Sequence, residues 1–149
     1  MNFIIASFLL STLFSFGELR RHQDKTVLKN LYRQMQGWNR NLKIDSMLEK
    51  QAQSLGCVRS HADHMGSSQD KKVQSRYHNM AAVIACSGGC RETLSNWSRS
   101  KPAQIFYDFK DRTGHYNDIM QNNRVGCSAK RSGEDICAFC YLVTVYGLG

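Results

Sequence analysis

The side chains of this 149-residue chain best suited to chemistry are five histidines (His22, His61, His64, His78, His115) and six cysteines (Cys57, Cys86, Cys90, Cys127, Cys137, Cys140). An imidazole exchanges protons near neutral pH and ligates transition metals, so grouped histidines suit acid–base work or a metal site. The stretch RTGHYNDIM, residues 112–120, frames His115 between Gly114 and Tyr116. Two readings are open there. One is a turn glycine, an exposed histidine and an aromatic leading into a helix; the other makes His115 a corner of a binding or catalytic site. His22 and His64 read as solvated, His64 because it falls in a polar, loop-like stretch over residues 59–76.

The cysteines favour structure over reactivity. Cys137 and Cys140 form a C-x-x-C, a spacing used for zinc and for redox exchange, but it has no second C-x-x-C and sits in the β-like run CAFCYLVTVY. An even cysteine count in a secreted chain points to disulfides. Secretion is the expectation from residues 1–17, MNFIIASFLLSTLFSFG, which carry no charge and whose apolar run Phe3–Phe16 covers 14 residues. A bilayer crossing needs about 20. Ser15 and Gly17 occupy the −3 and −1 positions of a cut before Glu18. The expected organisation is a signal peptide at 1–17 and one extracellular domain over 18–149, with no transmembrane segment after cleavage. An uncleaved anchor and a buried N-terminal helix are the alternatives, because the first residues lack a basic side chain.

The net charge of +8 lies wholly outside residues 1–17. It suits anionic partners, but the lysines and arginines are scattered with no run of five, so it reads as a solubilising surface and nucleic acid is not the expected partner.

The elements that must position these residues follow from periodicity. Val27, Leu28, Leu31, Tyr32 and Met35 recur at helical spacing. In LKIDSMLEKQAQSLGC, Asp45 is placed to cap a helix, Ile44, Leu48, Ala52 and Leu55 form one stripe, and Gly56 is the stop. A third stripe, Val73 to Ile84, is helical in spacing, yet Ala82 and Val83 leave its secondary structure open. Cys86-Ser-Gly-Gly-Cys90 can close on itself because its glycines allow a tight turn. RVGCSAK and DICAFCYLVTVYG read as strands joined through residues 131–134. That hairpin sets Cys127 near Cys137 and Cys140, with Cys140 the preferred partner. Six cysteines allow 15 connectivities. Asn96-Trp97-Ser98 fits the N-glycosylation pattern at Asn96.

Several motifs occur in a suggestive order: L-x-I-D-x-x-L (Leu42–Leu48), A-x-x-x-x-C-x-x-x-H (Ala52–His61), Trp97, Y-D-F (Tyr107–Phe109), G-H-Y (Gly114–Tyr116) and V-G-C (Val125–Cys127). In this the chain resembles the CAP superfamily of cysteine-rich secretory proteins, antigen 5 and plant pathogenesis-related class 1 proteins (the SCP domain). The resemblance implies an α/β fold, a three-layer α-β-α sandwich with disulfides. It also implies a cleft with two histidines, matching His61 and His115, and two glutamates. The glutamate positions fall here on His78 and on Ser100 or Ala103, so chemistry needing two carboxylates is not expected.

The same resemblance implies a secreted, non-enzymatic binding protein with defence, venom or host-modulating roles, whose partner is a lipid or sterol or an extracellular protein. Phe106, Tyr107 and Phe109 would be cleft-wall or core residues. If the alignment holds, His61, His78 and His115 converge, and three imidazoles would suit a divalent cation such as zinc. A small basic hydrolase, such as a ribonuclease, is the remaining alternative.

Overall fold

The computed structural model describes residues 23–84, 113–132 and 135–147. The first helix, α1 (Lys25–Trp38), starts where the Asp24 side chain accepts the Val27 N–H at 3.0 Å. It buries Val27, Leu31, Tyr32 and Met35, a stripe at helical spacing. A two-residue strand, β1 (Lys43–Ile44), precedes α2 (Ser46–Ser54), so Ile44 lies on the strand and is exposed rather than joining the Leu48–Ala52 stripe. Asp45 caps α2 through the N–H groups of Met47 and Leu48, as the sequence predicts.

The segment expected to be loop over 59–76 is instead a 3-10 turn (His61–Asp63) followed by α3 (Ser68–Tyr77). α3 shows little amphipathic period because, of its ten residues, only Asp70 and Val73 are buried. The open third stripe resolves into the end of α3 and the strand β2 (Ala81–Ile84). The chain continues through α4 (Thr113–Gln121), β3 (Arg124–Ser132) and β4 (Asp135–Val143). The expected terminal hairpin is present.

The sheet runs β1-β3-β4-β2, with β1 parallel to β3 and the other pairings antiparallel. Strand alternation divides the core. Val125, Cys127, Ala129, Ala138, Cys140 and Leu142 face α1 and Ile119 of α4. Phe139, Tyr141 and Val143 face Leu48 and Ala52 of α2 and Val73 of α3. α2 lies so close to β3 that a Cβ on Gly126 would come within 2.0 Å of the Glu49 nitrogen and 2.5 Å of the Leu48 Cβ.

This architecture corrects the expected CAP-type three-layer sandwich. The described residues form a small mixed α/β fold with one four-stranded mixed sheet, two of whose strands are edge pieces of two and four residues, and four α-helices. The physical reason is that short motifs report local elements, not their number or their connections. Trp97 and Tyr107–Phe109, which would anchor the rest of the family's arrangement, lie outside the described residues.

Among the described residues two disulfides brace the fold. Cys127 and Cys140 stand opposite each other in the β3–β4 register, with Cα atoms 4.1 Å apart. Cys57, after α2, is bonded to Cys137 on β4 at a Cα separation of 5.3 Å. Cys86, Cys90, Asn96, Ser100, Phe106 and the residues of the expected signal peptide lie outside the described residues.

Candidate histidine site

The turn His61–Asp63 and the start of α3 place two histidines and a carboxylate in one line. Asp63 stabilises the turn by accepting the backbone N–H groups of Arg59 and Ser60 at 2.7 and 2.8 Å. Those two bonds hold its carboxyl below the usual carboxylate range. Gly66, at φ +75°, takes the left-handed conformation that lets the chain reverse from this turn into α3. Ser67 caps α3 by accepting the Asp70 N–H at 3.1 Å.

Asp70 then points inward from the first helical turn and is 3% exposed. Its carboxylate accepts the Tyr141 hydroxyl at 2.5 Å and faces His64 Nδ1 at 3.1 and 3.2 Å. Burial, reinforced by the bond to Asp70, pushes the Tyr141 hydroxyl far above its ordinary pKa, so it stays a donor. His64 is equally buried, its ring 4.9 Å from that of Phe139 and 6.4 Å from that of Tyr141. Its Nε2 lies 3.1 Å from Nδ1 of His61, which is exposed.

This chain dictates a tautomer. The Asp70 carboxylate can only accept, so His64 Nδ1 carries the proton between them. With both rings neutral, His64 Nε2 must accept, and His61 Nδ1 donates to it. His61 Nε2 is then a bare lone pair. A buried carboxylate that orients one imidazole through another is the arrangement that readies a histidine as a ligand or base.

The far side of His61 is formed by α4. Residues three apart on a helix share a face, and His115 and Asp118 do so here. The His115 and His61 rings are 6.1 Å apart. Burial raises the half-buried Asp118 carboxyl, against the opposing pull of His115 and then of His61. Asn39, which caps the end of α1, fixes the end of α4 by donating to the carbonyls of Ile119 and Asn122, both at 2.8 Å. Tyr116 meets Trp38 edge-on at 5.5 Å.

The structure brings His61 and His115 together but does not bring His78 to them. His78 is the exposed C-cap of α3, at φ 58°, with its N–H donating to the Gln74 carbonyl at 2.9 Å. Ten helical residues, about 15 Å along the axis, lie between that end and the end against His64. The expected trio therefore fails geometrically. The reading of His64 as solvated is also corrected. Among the described residues no three His, Cys, Asp or Glu side chains already stand in coordinating geometry. Ser100, Phe106, Tyr107 and Phe109 cannot be placed relative to this cluster, being outside the described residues.

No family model matches the chain, and no curated protein matches it. Among solved structures, an outer surface protein from Borrelia burgdorferi is similar, with 15% identity and a TM-score of 0.45 over 80% of this chain and 92% of that one. A likeness at that level carries no argument about fold or function. No helix among the described residues is long and apolar enough to cross a membrane.

Proposed function

We propose that the protein is a secreted, disulfide-braced binding protein whose histidine site takes a divalent cation of the zinc type at His61 and His115. The observation that carries this reading is the Tyr141–Asp70–His64–His61 chain. It leaves a lone pair on His61 Nε2 beside a second imidazole. Two imidazoles on one zinc, each nitrogen at about 2.0–2.1 Å, have ring centres roughly 5–6 Å apart. The observed 6.1 Å is slightly wider than that spacing. Water would complete the shell. The fit is that of a two-histidine site with open positions, so the chain's own contribution is to orient the imidazoles and supply neutral nitrogen.

Calorimetric titration of the mature protein with zinc tests the reading. One equivalent should bind, and His61→Ala and His115→Ala should each weaken it by about tenfold or more. His78→Ala should leave it unchanged. Affinity should also fall in acid, because protons compete with the cation for imidazole nitrogen. Equal binding by wild type and His61→Ala would defeat the reading, and RNA turnover lost in both His61→Ala and His115→Ala would favour a hydrolase instead.

A further inference from the structure

A second surface, separate from the histidines, lies where α1 meets the sheet edge. Lys25, Lys29 and Arg33 follow one another at four-residue intervals along α1 and line a shallow depression of about 470 Å³ with Leu28, Tyr32 and Ile44. Four residues of helix advance about 6 Å, so the three cations form a ladder of that step. None of them forms an ion pair among the described residues. The nearby Glu49 carboxylate is engaged instead by the Tyr32 hydroxyl at 2.9 Å. Ile44, an apolar side chain, is 47% exposed at the end of this depression.

Among the described residues this edge is open: β1 pairs there only with β3, through Lys43 N–H to Asn123 and Asp45 N–H to Val125. Strand groups alternate in direction, so the N–H and C=O of Ile44 point away from β3. The Leu42 carbonyl, two residues earlier, is already covered by the Gln36 side chain at 3.1 Å.

We infer that this α1–β1 groove docks an extended acidic peptide segment of a partner protein. Side chains on one face of an extended strand repeat every 6.6–6.8 Å or so, nearly in step with the cation ladder, so alternate carboxylates would meet Lys25, Lys29 and Arg33 in turn. The intervening side chains would point to the opposite face, away from α1, while the Ile44 backbone would exchange hydrogen bonds with the peptide, as in strand addition to a sheet edge. An outward-facing strand backbone beside the cations favours a peptide over a nucleic acid, and the ring of Tyr32 is too buried, at 7% exposure, to stack on a base.

Fluorescence anisotropy of a labelled peptide of alternating glutamate and valine, titrated with the mature protein, tests this. Binding should be saturable and should weaken with salt. The K29E/R33E double variant should lose about tenfold or more in affinity, and Ile44→Pro, which deletes the outward N–H, should also weaken it while circular dichroism stays native. Absence of binding at low salt, equal binding by K29E/R33E, or preferential binding of single-stranded oligonucleotide or phosphatidylserine vesicles would each overturn the proposal.

Discussion

Asp70 is a carboxylate sunk beneath a helix, and two buried groups depend on it: the Tyr141 hydroxyl and His64 Nδ1. Asp70→Ala leaves both without their acceptor and is expected to cost on the order of 3 kcal/mol, read as a lowered urea midpoint. Asp70→Asn keeps the shape and should cost less, but its amide cannot accept from both partners without presenting donors as well. Asp118 acts in the opposite sense to a salt-bridged carboxylate. Burial raises its folded-state pKa, so the folded state holds the proton more tightly than the unfolded one. Its contribution to stability therefore declines as pH climbs from the ordinary carboxylate range through the raised value, and Asp118→Asn should flatten that part of a stability-versus-pH curve. At this scale the sequence is half legible. His61 and His115 can be singled out from their neighbours. His64 and Asp70 cannot, because six residues of polar chain show no period, and what buries them is Phe139 and Tyr141, about seventy residues further on.

Elements are easier to read where a period or a cap marks them. α1 and the β3–β4 hairpin bury the stripes their sequences display, and Asp45 caps α2 while its second oxygen accepts the Tyr77 hydroxyl at 2.7 Å, tying α2 to α3. α3 escapes such a reading because a helix whose inward face is one carboxylate and one valine looks like loop. The contact between α2 and β3 is equally invisible, since a lone glycine in V-G-C says nothing about what crosses it. It yields a sharp prediction. In Gly126→Ala the added methyl meets helix backbone rather than a movable side-chain end. Overpacking of this kind costs about 3 kcal/mol or more, and the thermal midpoint of the variant should fall accordingly while Gly56→Ala, with open space around it, stays near wild type.

At the scale of the molecule, the two disulfides among the described residues differ mainly in how much chain they enclose. Cys57–Cys137 spans 80 residues and Cys127–Cys140 spans 13. Loop-closure entropy values them at about 4.5 and about 3 kcal/mol respectively. Replacing the long-range pair by serines should therefore lower the denaturant midpoint further than replacing the hairpin pair. The hairpin pairing is within reach of the sequence because register puts those cysteines opposite each other; the partner of Cys57 is not, because no local pattern links residues so far apart. The sheet order explains the same distance in another way. β3 and β4 form its centre, yet they are the last strands in the chain, and α1, β1 and α2 all rest on β3. Even Gln23 and Asp24, just ahead of α1, are held by Ala129. Synthesis from the N-terminus thus delivers α1, β1 and α2 well before the strand they rest on. Closing the fold is then a matter of timing, because the early helices have no surface to pack on until β3 and β4 have been made.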